Sequence, residues 1–159
     1  MVYQDDAAFL RDLLTDKWTK ANSDEIKPGI QKVISLKRKR FANDQDFIAI
    51  YNVTSTFKDN AIGNLTLQKR YRSTIDIYTT RSDIRLYKMV SEVIRILNNY
   101  AVLKGDYTFD EITYSYSGIL SMVSIKELSN RSSGLFRQSL DVVIEDNDDK
   151  TTGWWYEKD

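Results

Sequence analysis

The stretch Arg70-Tyr71-Arg72-Ser73-Thr74-Ile75-Asp76-Ile77-Tyr78, continued through Tyr100, decides the fold. Tyr71, Ser73, Ile75 and Ile77 fall on one side of a two-residue period, and Arg70, Arg72, Thr74, Asp76 and Tyr78 on the other. That is the pattern of a strand with one face buried. The period then changes. Leu86, Val90, Val93 and Leu97 recur at helical spacing, flanked by Tyr87, Ile94 and Ile96, so a broad apolar stripe runs down a helix of about five turns. Thr80 and Asp83 have the spacing of a capping box, which satisfies free amides at a helix start. Asn98 and Asn99 are the expected stop, because Asn tolerates the left-handed conformation that often ends a helix.

Working towards the N-terminus, Leu67–Tyr78 could pair as a hairpin with Phe47–Val53, a run rich in β-branched and aromatic residues. The long connection between them, Thr54 to Thr66, carries Lys58-Asp59-Asn60 and Gly63-Asn64. Ile30 to Phe41 is ambiguous: Val33, Ile34 and Leu36 could open a strand before the basic run. Asn22 to Gly29, holding the only proline, reads as a loop. Asp5 or Asp6 caps a first helix whose apolar side is Phe9, Leu10, Leu13, Leu14 and Trp18.

Towards the C-terminus, Lys104-Gly105-Asp106 reads as a turn and Ile112, Tyr114 and Tyr116 as a short strand. Ser117-Gly118 breaks it, extended character resumes from Ile119 to Leu128, and Ser129 to Gly134 makes a hairpin loop. Phe136, Leu140, Val142 and Ile144 then alternate with polar positions in a last strand. The expected fold is α+β: one domain over residues 1–146, with a mostly antiparallel sheet of four to six strands, an N-terminal helix and one long central helix. Residues 147–159 read as an acidic and aromatic tail.

Composition narrows the chemistry. The 159 residues suffice for one domain that buries roughly 70% of its extended surface. Lys plus Arg balances Asp plus Glu at 23 each, whereas a generic nucleic-acid binder carries a positive excess. The chain has no cysteine and no histidine, which excludes disulfides, thiolate zinc sites, Ser-His-Asp triads and His-metal chemistry. No apolar run reaches the roughly 20 residues of a membrane span. The first residues also lack the basic-then-apolar order of a signal peptide. A cytosolic protein, or one built into a particle assembled there, is the expectation.

Five features are candidates for function. Lys37-Arg38-Lys39-Arg40 is the sharpest electrostatic one. It suits phosphate contact, as a nuclear-localisation-like tract or the lining of a DNA passage, or else a solvated turn or edge strand that discourages sheet-to-sheet pairing; four cations are few, and the zero net charge favours the latter. Arg70 and Arg72 share a strand face and are expected to pair with acids on a neighbouring strand. Glu145, Asp146, Asp148 and Asp149 lack the spacing of a calcium loop and read as tail. Asp76, Glu111, Lys126 and Glu127 are the residues a metal nuclease would draw on, and no motif joins them. The six glycines are scattered, so there is no phosphate loop. No catalytic, cofactor-binding or metal residue is assigned, and no enzyme activity is expected. Trp154-Trp155-Tyr156 is an odd place for three large aromatics, and the segment either packs back on its own domain or binds a neighbour.

The order of elements, and the piece Ser73-Thr74-Ile75-Asp76-Ile77 through Thr79-Thr80-Arg81 into Leu86-Tyr87, Val90, Val93, Ile94 and Leu97, resembles tail terminator (tail-completion) proteins of long-tailed bacteriophages and related viruses. The alternating Phe136–Ile144 strand stands where that family has its last strand. The resemblance extends over nearly the whole chain as architecture and rests on no signature residue. It implies a virion structural protein assembled in the host cytoplasm. It would form a hexameric ring on the end of the tail tube, stop its polymerisation, and join a head-completion or connector protein while DNA passes through the lumen. On that reading Lys37, Arg38, Lys39 and Arg40 face the lumen or another subunit, and Trp154, Trp155 and Tyr156 anchor subunits to one another. The alternative is a small nucleic-acid-binding accessory protein that uses the 37–40 run and exposed tyrosines.

Overall fold

The computed structural model describes residues 5–18, 28–33, 46–59 and 66–149. Two helices and six strands follow one another: α1 (Asp6–Lys17), β1 (Gly29–Lys32), β2 (Phe47–Asp59), β3 (Thr66–Thr79), α2 (Asp83–Asn99), β4 (Val102–Phe109), β5 (Ile112–Glu127) and β6 (Phe136–Asp149). They form one sheet in the order β1-β2-β3-β6-β5-β4, with β1 parallel to β2 and every other pair antiparallel. This is the expected α+β domain with a mostly antiparallel sheet.

β3 is the middle of the construction. Its Tyr71, Ile75 and Ile77 are buried and face the helices, and its register places Ile75 and Ile77 beside Ile50 and Ile48 of β2 on one side. Ile75 also pairs with Leu140 of β6 on the other side. α2 lies across β3, β6 and β5, and buries Leu86, Met89, Val90, Val93, Ile96 and Leu97. α1 touches β1, β2 and β3 and also β4 at the opposite edge, so the sheet curls around it. Phe9 is the pivot: its ring centroid lies 4.7 Å from Tyr116, 5.5 Å from Tyr114, 5.6 Å from Tyr107 and 6.2 Å from Phe109.

Several local expectations are corrected. β3 runs to Thr79, so α2 starts later than a Thr80 cap allows; Ser82 is the N-cap, and its hydroxyl accepts from the Arg85 amide at 3.1 Å. The helix ends at Asn99 with Tyr100 at φ −114, with no left-handed Asn. Gly29 opens β1 instead of closing a loop. Lys104-Gly105-Asp106 lies inside β4; the turn falls at Asp110, whose φ is +53. Ser117-Gly118 does not interrupt β5. A side chain at 118 would place its Cβ 1.7 Å from the Glu145 carbonyl oxygen, so glycine is there to let β5 and β6 close on each other. The acidic run Glu145–Asp149 is the end of β6, paired with Thr66–Arg70 of β3.

Candidate functional site

The two groups singled out in the sequence, Lys37-Arg38-Lys39-Arg40 and Trp154-Trp155-Tyr156, lie outside the described residues. The remaining candidates are placed. Arg70 and Arg72 pair with acids of β6 as expected, Arg70 with Glu145 at 3.7 Å and Arg72 with Asp141 at 3.0 Å. Asp76 and Lys126 stand in one row across β3, β6 and β5, both opposite Ser139. Glu111 is in the β4–β5 turn, and Glu127 accepts from Gln138 Nε2 at 2.6 Å on the next row. Register therefore separates these acids, and among the described residues no group of three could hold a metal ion.

Two polar networks occupy the sheet instead. On the face away from the helices, the buried Asp76 accepts from Arg137 Nη2 at 3.0 Å and from the Tyr78 hydroxyl at 3.2 Å, and the Arg137 guanidinium stacks over the Tyr78 ring. Burial, and then the Asp76 charge, push the Tyr78 hydroxyl up to about 12. Beside it, Asp141 accepts from Thr74 Oγ1 (2.8 Å), Arg72 Nη2 (3.0 Å) and Ser124 Oγ (3.1 Å). Burial alone would raise this carboxyl, but the three donors outweigh it and hold it below the ordinary range.

The second network faces the core at the start of α1. Asp5 caps the helix through the Ala8 amide (3.1 Å), accepts from Asn52 Nδ2 of β2 (3.1 Å) and is bridged by Lys32 of β1. Asp6 accepts from the Ser73 hydroxyl of β3. Burial pushes the Asp6 carboxyl up to about 6, partly offset by that hydrogen bond. Further along, Lys69 and Asp146 form a fully buried pair at 3.3 Å, and Asp146 also accepts from the Ser117 amide at 2.6 Å. Tyr116 is buried in the same core, and burial, followed by the charge of Asp6, drives its hydroxyl well up. These groups join strands to one another and to α1. The sequence hid the network because Asp146 reads as part of an acidic tail; the alternation of β3 gives a signal, since it puts Lys69 on the face opposite Arg70 and Arg72, with Tyr71.

The rims of the sheet differ. The Ala101 carbonyl accepts from the Leu120 amide at 2.9 Å, so by alternation the backbone groups of Val102, Lys104 and Asp106 point to the free side of β4. There the Lys104 amide donates to the Tyr107 hydroxyl at 2.8 Å, and Lys104 and Asp106 are exposed. An occupied amide and charged side chains blunt an edge. β5 is different. β4 covers only Ile112–Ile119, while β6 pairs with Gly118–Glu127. Among the described residues, Ser121–Lys126 therefore has a strand partner on one side alone. It carries a bulge at Val123 and leaves Val123 (54%), Ile125 (50%) and Leu128 (43%) exposed. Such a rim is suited to association.

Compared with models of known protein families and with curated proteins, the chain matches none.

Proposed function

We propose that the protein is a virion ring subunit of the tail terminator class, which stops tail-tube growth and provides the surface that joins the tail to the head. Its work is recognition by shape, with no turnover of substrate. The observation that carries this reading is the pair of unlike sheet rims. Among the described residues, β1, four residues long, forms one edge, and on the other side β4 stops short of the second half of β5, whose apolar side chains are left exposed. A head-to-tail ring requires two different complementary surfaces on each subunit, and rims of different character on opposite sides supply them. The element order adds support: an N-terminal helix, a hairpin, a strand into one long helix, and later strands closing the sheet. The two polar networks add rigidity, which a capping surface needs. No described helix is long and apolar enough to cross a membrane.

The test is tube assembly. Tail-tube subunits polymerised with the protein present should give tubes of bounded length with density capping one end in electron micrographs. Unbounded tubes with bare ends overturn the proposal. So does tight binding of bare DNA that weakens steeply with salt, which would favour the accessory nucleic-acid binder.

A further inference from the structure

The open half of β5 calls for an occupant, and the chain carries one candidate whose reach can be calculated. Ile125 stands opposite Leu140 of β6, nine residues (149 − 140) before the end of that strand at Asp149. Nine residues of strand span about 30 Å. Beyond Asp149 the chain continues with Lys150-Thr151-Thr152-Gly153-Trp154-Trp155-Tyr156. Fully extended, the seven residues to Tyr156 cover at most about 25 Å. Even with the length of an aromatic side chain added, the triplet falls short of Leu128, which is level with Arg137 of β6, and cannot cover Val123, Ile125 and Leu128 of its own chain together. A neighbouring copy is under no such limit.

We propose that residues 150–159 of one copy dock on the Ser121–Leu128 rim of the next, with Trp154, Trp155 and Tyr156 covering Val123, Ile125 and Leu128. The added segment supplies backbone partners to the side of β5 that lacks a strand among the described residues, and removes three exposed apolar side chains from water. Aromatic residues anchored on an apolar patch are the usual centres of interface energy. The contact is directional: every copy has one donor segment and one acceptor rim, so a chain of contacts either closes into a ring or extends as a filament. Closure rests on the ring reading above; the contact itself does not.

The absence of cysteine from the chain makes a crosslinking test clean. An Ile125→Cys chain and a Gly153→Cys chain, mixed under mild oxidation, should give a disulfide-linked heterodimer. The Ile125→Cys/Gly153→Cys chain should give only intermolecular products. A third variant, Ile125→Asp, changes an exposed position and should keep the circular dichroism of the parent. It should lose self-association and shift tryptophan emission to the red. No heterodimer, an intramolecular disulfide, or unchanged association of Ile125→Asp overturns the proposal. The two readings fail separately: heterodimer without tube capping retains this contact and removes the terminator function, whereas tube capping by a chain truncated after Asp149 does the reverse.

Discussion

At the scale of single residues, the inner face of the sheet holds more charge than its strand pattern suggests. Asp6 is the clearest case. Its carboxyl titrates at about 6 in the folded protein against an ordinary value of 3.8, so between those values the folded state holds a proton that the unfolded chain has released. Stability attributable to this group is therefore present at low pH and declines as pH rises through the window from about 4 to 6. Relative to Asp6→Asn, the parent should lose up to about 3 kcal/mol between pH 3.5 and 7. Parallel melting profiles for the two proteins would contradict the placement of Asp6. Gly118 is a second case. The Glu145 carbonyl occupies the space a Cβ would need, so Gly118→Ala should cost about 2–3 kcal/mol in denaturant unfolding. Gly105, where nothing lies within 4 Å but φ is +105, should cost less on the same change and for a backbone reason. Neither role is legible from the sequence, where both glycines read as turns: a close strand approach is set by a residue 27 positions away (145 − 118).

Among the elements, what local pattern determines was readable and what pairing determines was not. The β3–α2 unit, α1 and the alternating part of β6 follow from apolar periodicity, because each has one face on the core and one on solvent. β4 was missed because Gly105 and its charged neighbours mimic a turn, and the end of β6 because Glu145–Asp149 looks like a solvated tail. In the folded protein Asp146 is satisfied by Lys69 and the Ser117 amide, both distant in sequence. That arrangement yields a prediction at this scale. Lys69→Met leaves a buried carboxylate without its cation and should destabilise the junction of β3 and β6 by about 3–5 kcal/mol. Adding Asp146→Asn, which retains an acceptor for Ser117, should recover most of the loss. If the double variant is as unstable as the single one, the pair is not what holds that end of the sheet. The Asp46 clamp follows the same logic. It binds Arg85 at 2.7–2.8 Å and Thr79 at 2.7 Å, fastening the starts of β2 and α2 to the end of β3.

Over the whole molecule, the sheet wraps one helix, is backed by a second, and ends in rims that are not alike. One is short, one is blunted by Tyr107 and exposed charge, and one is half-open and apolar. The basic run at 37–40 and the aromatic residues at 154–156 were the prominent features of the sequence, yet the receiving surface was invisible there. Val123, Ile125 and Leu128 look like ordinary strand residues until β4 is seen to pair with β5 only as far as Ile119. The central claim is that this geometry serves closed self-association. End-on electron micrographs of the full-length protein on tail tubes test it most directly, through the rotational symmetry of the averaged particle. The account predicts a ring of identical subunits with a central opening wide enough for duplex DNA. A single copy on each tube end, or an assembly with no central opening, would contradict it.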